Sequence, residues 1–308
     1  LASTKRQRDK TIATFKYIVV SLLFLLATAA FLFFVSLQYG DGWFSGLLMI
    51  MALAWGIVLL VSGRSWFSST KLLAQEMNMA LVHVFSDVFG RTFLYTHNAD
   101  DNSHAKRILE ESKLITVDNV TVHADDAYQV FGEQTTEFHE VSVIKKVVDS
   151  SKNKKSSEVE IFRGLLVVAE LAFTHDAETF VSTDGDRSGF AHLDFWSNLL
   201  GHNKVKETTL EWNDFEENLH VATTDPQVAR QLLTPEFMLD LHDWWLEHKL
   251  NMRISFRGSH CYILMPEATI HISSSTTSTK LAVIKKYAIS FARPIWRSLK
   301  LIEDVKGS

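Results

Sequence analysis

Two uninterrupted apolar runs near its start constrain this chain more than any other feature. Tyr17 to Leu37 is 21 residues without a charged side chain, and Trp43 to Val61 is 19 more. A helix crosses a hydrocarbon core of roughly 30 Å in about 20 residues, and each run reaches that length. Gln38 to Gly42 leaves room only for a tight turn between them. The pattern predicts a two-helix transmembrane hairpin over residues 17–63. A secretory signal is the rival reading of the first run, because basic residues precede it and Ala27-Thr28-Ala29 offers small side chains. The apolar stretch continues through Phe31, Leu32, Phe33, Phe34 and Val35. That is longer than the core of a signal peptide, and it favours a span.

Sidedness follows from the basic residues. Lys5, Arg6, Arg8, Lys10 and Lys16 precede the first run, Arg64 and Lys71 follow the second, and the turn carries only Asp41. Positive charge beside a span stays cytoplasmic. Both termini are therefore expected inside, with residues 1–16 as a basic cytoplasmic segment. Tyr17, Tyr39, Trp43 and Trp66 stand near the ends of the runs, where amphipathic rings prefer the interface. Ala52 and Gly56 lie four apart, a spacing that lets a neighbouring helix approach closely. Neither run holds an ionisable side chain, which disfavours a transporter or proton pump.

The remainder is long enough for one large domain or two packed halves. From Arg64 onward it holds 26 basic and 34 acidic residues, a net charge of −8. That balance disfavours nucleic acid as a ligand, since phosphate binding needs a basic footprint. Cys261 is the single cysteine, so no intrachain disulfide framework exists.

Leu72, Leu73, Met77, Leu81, Val84 and Val88 recur at helical spacing, and Gly90 is a stop signal. This predicts a helical stalk over 64–90 that continues from the second span. Within 91–308 the pattern predicts a helix over Lys106–Lys113 and strands over Ile115–His123, Phe138–Val148, Ile161–Ala172, Leu219–Ala222, Met252–Met265 and Thr269–Ser273. Ser150–Glu158 reads as a polar hairpin tip, and Ser182–Ser188 as a Gly/Asp turn. Asp225-Pro226 and Thr234-Pro235 each pair a capping side chain with proline at the first helical position. Two further helices are expected over Lys280–Arg293 and Ile295–Val305, divided by Pro294. The fold class is α+β: an N-terminal transmembrane hairpin followed by a cytoplasmic domain of mainly antiparallel strands.

Four segments carry a resemblance to a known family. They are Glu111-Ser112-Lys113-Leu114; Asp125-Asp126-Ala127-Tyr128-Gln129-Val130-Phe131-Gly132; Ile161 to Glu170; and Phe215 to Pro235, with its strand, Asp-Pro helix and Thr-Pro helix. With the double span, they make the chain resemble the domain-of-unknown-function 3137 family of bacterial two-pass membrane proteins. The resemblance implies a bacterial inner-membrane location and a cytoplasmic α+β domain. It implies no activity and no catalytic residues.

Read from the residues alone, the chemical candidates are weak. Asp240, Asp243 and Glu247 share one helix face, a carboxylate arrangement for a metal or a polar side opposite Phe237, Leu241 and Trp244; periodicity favours the polar side. Asp184 to Gly189 lacks the further oxygens of a calcium loop. Asp100, Asp101 and His104 fall together in a polar loop. Ser188 and Ser197 lack a nucleophile-elbow context. Cys261 reads as a buried structural thiol. Phosphate-loop and zinc-protease motifs are missing from the sequence. Lys285, Lys286, Arg293, Arg297 and Lys300 beside Ile284, Tyr287, Phe291, Trp296 and Leu299 form a basic amphipathic stretch. It either lies on anionic lipid or packs back on its own domain, and the second is favoured.

The sequence therefore assigns no catalytic, cofactor or metal residues. It leads to a non-enzymatic, membrane-anchored interaction or scaffold protein, an accessory subunit of a larger complex or a self-associating one. The alternative is a membrane-bound hydrolase or ligand sensor with an unrecognised Asp/Glu/His site.

Overall fold

The computed structural model describes residues 2–39, 43–96, 102–115, 117, 119–148, 156–183, 205–210, 212–248, 252–266 and 281–305. The chain divides into two compact units. One comprises Leu1–Leu81 with Ile272–Val283, and the other Val82–His271 with Ile284–Ser308.

The first unit is built on α1 (Ala2–Tyr39) and on the part of α2 (Trp43–Phe89) up to Leu81. The second apolar run and the expected stalk form one continuous helix. It ends where Gly90 takes a positive φ of 62°, the left-handed conformation that closes many helices. Within the unit the Phe24 and Trp55 rings lie 5.6 Å apart. Among the described residues no helix is long and apolar enough to cross a membrane.

The second unit is α+β, and all its strand pairs are antiparallel. Its seven strands are β1 (Thr92–Thr96), β2 (Val120–Phe131), β3 (Thr136–Val148), β4 (Ser156–Thr183), β5 (Lys206–Glu207), β6 (Leu219–Thr223) and β7 (Arg253–Pro266). At 28 residues, β4 is the spine. Its first half pairs with β3, and β2 and β1 follow outward; its second half pairs with β6, then β5. Along the other edge, β7 pairs with both halves, from Gly164↔Pro266 to Ser182↔Arg253. The register slips between Glu170 and His175 and again before Glu178. These irregularities let one strand serve two partners on the same edge.

Successive strand side chains point to opposite faces. On one face Leu166, Phe162, Val141, Val143, Phe180 and Leu264 pack against Ala105, Ile108 and Leu109 of α3 (Asn102–Ser112). The other face carries α6 (Pro235–His248) and the domain part of α7 (Leu281–Asp304). Phe237 of α6 meets Phe256 edge-on at 5.8 Å, and Phe291 of α7 meets Tyr128 at 4.8 Å. Phe291 also stacks on Phe85 at 4.6 Å. Two short helices, α4 (Asn213–Glu216) and α5 (Pro226–Leu232), flank β6. Both expected caps are in place: Asp225 Oδ1 accepts from Gln227 N at 2.8 Å, and Thr234 Oγ1 accepts from Phe237 N at 3.1 Å.

Several local expectations are corrected. The first long strand lies at 120–131, because Leu114 and Ile115 are buried in the turn after α3 rather than paired in the sheet. β4 extends eleven residues past the expected end at Ala172, so Ser182 and Thr183 are strand rather than turn. The helix α7 runs through Pro294. The carbonyl that loses its partner there belongs to Ser290, which is exposed to solvent, while buried Phe291, Ile295 and Leu299 hold one apolar stripe together. The regions 184–189 and 269–273 lie outside the described residues.

Gly164 is the tightest point in the sheet. A Cβ there would overlap the carbonyl oxygen of Met265 on β7, while Gly164 also pairs with Val141 of β3. The echoing glycine of Phe256-Arg257-Gly258 serves a different purpose, a positive φ of 62° with open space around it. Gly164→Ala is expected to destabilise the domain by about 2 kcal/mol or more, because a three-strand ladder cannot widen locally. Gly258→Ala is expected to cost about 1–2 kcal/mol from backbone strain alone. Thermal unfolding of the two variants, followed by tryptophan fluorescence, checks that order.

Candidate functional site

The site is assembled from one strand and one helix on the same face of the sheet. Glu137 and His139 stand two apart on β3, so both point toward α3. They lie in the doubly paired part of the sheet: Glu137 opposite Gln129 and Val168, His139 opposite Leu166. His104 comes from the first turn of α3.

The position of α3 is fixed at its far end. The last carbonyls of a helix have no partner inside it, and here β7 supplies three donors from alternate residues. Arg257 Nη1 donates to the carbonyl of Glu111. Ser255 Oγ donates to Ser112 O at 2.8 Å, and Arg253 Nη1 to Leu114 O at 2.7 Å. Arg253 is fully buried. Lys113 turns the chain with a φ of 55°, and its Nζ reaches Glu178 at 2.8 Å. Glu178 also binds Arg257 at 2.9 Å. Burial opposes the charge on Glu178, yet Lys113 and Arg257 hold its carboxyl below the ordinary value. The segment Glu111 to Leu114 is thus a clamp that seats α3 on the sheet.

At the opposite end, His104 Nε2 lies 3.1 Å from Glu137 Oε2, and His139 Nε2 lies 3.0 Å from the same oxygen. The imidazole centroids are 5.4 Å apart at 65°. Gln129 Nε2 donates to the other carboxylate oxygen at 3.4 Å. His139 is buried, and Glu137 and His104 are about one-third exposed. The hydrogen bond from His139, with that from His104, holds the Glu137 carboxyl down to about 2, against the opposing effect of burial. Arg107 Nη2 lies 2.8 Å from His104 Nδ1. A guanidinium only donates, so Nδ1 accepts and Nε2 carries the proton toward Glu137.

These groups border a cavity of about 250 Å³, whose lining includes His104, Arg107, Glu111, Glu137, Glu170 and His260. The arrangement has an ionised carboxylate between two imidazoles, opening onto a polar cavity. It suits ligation of a borderline metal ion or binding of a small polar ligand.

The residues singled out in the sequence end up elsewhere. Asp240 pairs with Lys300, and Glu247 pairs with Arg293 and Arg297 at 3.5 and 3.0 Å. Asp240 and Glu247 therefore form the seam that docks α7 and not a metal face, while Asp243 is exposed, as the polar-side reading expects. The same contacts make the C-terminal stretch a domain helix, with Ile295 and Leu299 buried. Cys261 is buried, and burial pushes its thiol well above the ordinary value. His104 lies on a helix and not in a loop; Asp100, Asp101, Asp184 to Gly189, Ser188 and Ser197 lie outside the described residues. Glu137 and His139 were missed in the sequence. The one available signal is two polar residues, two apart, facing inward within a strand that otherwise alternates.

Residues 160–306 match the family model described as "Protein of unknown function (DUF3137)". Over these residues the chain belongs to the DUF3137 family. No curated protein matches the chain at a significant level. Among solved structures it is similar to the crystal structure of the mycobacterial trehalose monomycolate transport factor A, TtfA, at 9% identity and a TM-score of 0.34. That similarity covers 75% of this chain and 97% of the other. At such a score it carries no argument about function. The DUF3137 match begins at β4, so His104, Glu137 and His139 lie before it.

Glu137 has a depressed folded-state value, so its contribution to stability is complete above the ordinary 4.5 and is lost as pH falls toward about 2. Glu137→Gln is expected to lower the melting temperature at neutral pH, with the gap to the parent closing between pH 4.5 and 2. Melting curves across that range check it.

Proposed function

We propose that this DUF3137 protein is a membrane-anchored interaction protein of the bacterial inner membrane, with its hairpin in the bilayer and its α+β domain in the cytoplasm. The supporting observation is the surface of α1. Val20, Leu23, Phe24, Leu26, Phe31 and Phe34 are each more than half exposed. An apolar helix that exposes such side chains around its circumference needs a non-aqueous surrounding. The described part of α2 adds Ile57, Leu60 and Val61. The basic residues at 5–16 and at Arg64 and Lys71 assign both termini to the cytoplasm. The acidic domain then docks a protein partner, within a larger complex or as a second copy, without catalysing a reaction.

The anchor is tested by washing membranes of expressing cells with alkaline carbonate. The protein is expected to stay in the pellet. The double variant Leu23→Arg, Leu26→Arg is expected to shift toward the soluble fraction, because each central arginine costs about 2.5–3.5 kcal/mol of insertion. Release of the parent protein by carbonate would contradict the anchor. The docking role is tested by co-purification in mild detergent, with a stoichiometric partner or a homo-oligomer expected. A lone monomer would overturn it.

A second reading, a membrane-bound ligand sensor or hydrolase, has one specific observation in its favour: the His104–Glu137–His139 cluster opens onto a cavity rather than being sealed in the core.

A further inference from the structure

We propose that His104, Glu137 and His139 form a binding site for a divalent transition-metal ion of the zinc type, with the remaining coordination positions facing the cavity. The inference names the ligand class for the second reading and rests on its cavity. It is independent of the membrane anchor.

Two imidazoles and one carboxylate are the donor set that such ions take when a position is left open for water or a small ligand. The spacing suits it. In a tetrahedral shell with bonds of about 2.0–2.2 Å, neighbouring donor atoms lie roughly 3.3–3.5 Å apart. The two Nε2–Oε2 separations are 3.1 and 3.0 Å, and all three donor atoms lie within 4.8 Å of one another. Two of the three edges therefore need only a few tenths of an ångström.

The frame around the donors is already built. Glu137 and His139 are held by hydrogen-bonded strands on both sides, and His104 by a helix clamped at its other end. Gln129 orients the second carboxylate oxygen, the kind of outer contact that fixes a ligand in place. Glu170 and His260 line the open side. They offer polar groups to water or to a ligand on the ion.

One feature opposes the ion, and it makes the proposal sharply testable. In the hydrogen-bonded arrangement both imidazoles carry their proton on Nε2, facing an ionised carboxylate that can only accept. Ligation through Nε2 needs the other tautomer, with the proton on Nδ1. The exchange is internal and releases no net proton. For His104 it is incompatible with Arg107, whose guanidinium already occupies Nδ1 as a donor. Arg107 must swing away, and Glu111 one turn on, at 4.0 Å, is a ready partner for it. Arg107 is therefore an antagonist of the site, through both the misplaced donor and its positive charge.

The test uses the full chain in detergent micelles, stripped with a chelator and titrated with Zn²⁺ alone against a competing indicator. The expected result is one saturable equivalent. Cobalt(II) should give intense visible bands of a four- or five-coordinate ion. His104→Ala and Glu137→Gln should each weaken binding by at least about tenfold. His104 is a part-exposed helix residue, so its loss leaves the fold intact, which far-ultraviolet circular dichroism checks. Arg107→Ala should tighten binding by at least about threefold, an effect that no damage to the fold would mimic. Absence of a saturable equivalent, or binding unaltered by His104→Ala and Arg107→Ala, would overturn the proposal. Metal binding is read without an activity assay, so failure here is distinct from failure of a hydrolase or sensor screen.

Discussion

The capping of one helix end by one strand underlies the site. Three alternate residues of β7, Arg253, Ser255 and Arg257, give their donors to carbonyls at Glu111, Ser112 and Leu114. A buried carbonyl without a partner costs about 1–3 kcal/mol, and a bond from a charged donor contributes about 1.5–3 kcal/mol. The C-terminal end of a helix also carries partial negative charge, which suits the two arginines. These contacts set the height and rotation of α3 over the sheet, with Leu109 and Leu114 buried beneath it. His104 lies two turns back along the same rigid helix. It meets Glu137 and His139 because the far end is fixed.

The sheet supplies the other half of the geometry. β4 is long enough to hold β3 along its first half and β6 along its second, with β7 running the length of both. The site-bearing part of β3 and the clamp-bearing part of β7 are therefore tied to one strand. Gly164 permits that closeness, since any side chain there would meet the β7 backbone. The opposite face is occupied by α6 and α7, whose aromatic contacts and ion pairs close the core. This division leaves the α3 face for a ligand.

Much of this was legible in the residues, for local reasons. The Asp225-Pro226 and Thr234-Pro235 starts are short-range chemistry, and both caps form as read. The helix through Phe89, its stop at Gly90, and strands β3, β6 and β7 follow from periodicity over a few turns or pleats. The α+β class and the DUF3137 family were also readable. What failed was set by distant contacts. The length of β4 depends on three partners, and the continuity of α7 through Pro294 depends on a buried stripe. The carboxylates of α6 read as a polar side by periodicity, and their docking role was hidden because their basic partners lie 46 to 60 residues away. The cluster was missed for the same reason: His104 and Glu137 are 33 residues apart, and only the clamp makes them neighbours.

The β7 clamp positions α3, and so the site, on a sheet that stands without it. Amide hydrogen exchange over residues 105–112 of the full chain, compared with Ser255→Ala and Arg257→Ala, tests it most directly. Slow exchange is expected in the parent, and about tenfold or greater loss of protection in α3 of the variants with the β3–β4 ladder unchanged. Unaltered protection of α3, or equal loss across α3 and the ladder, would contradict it.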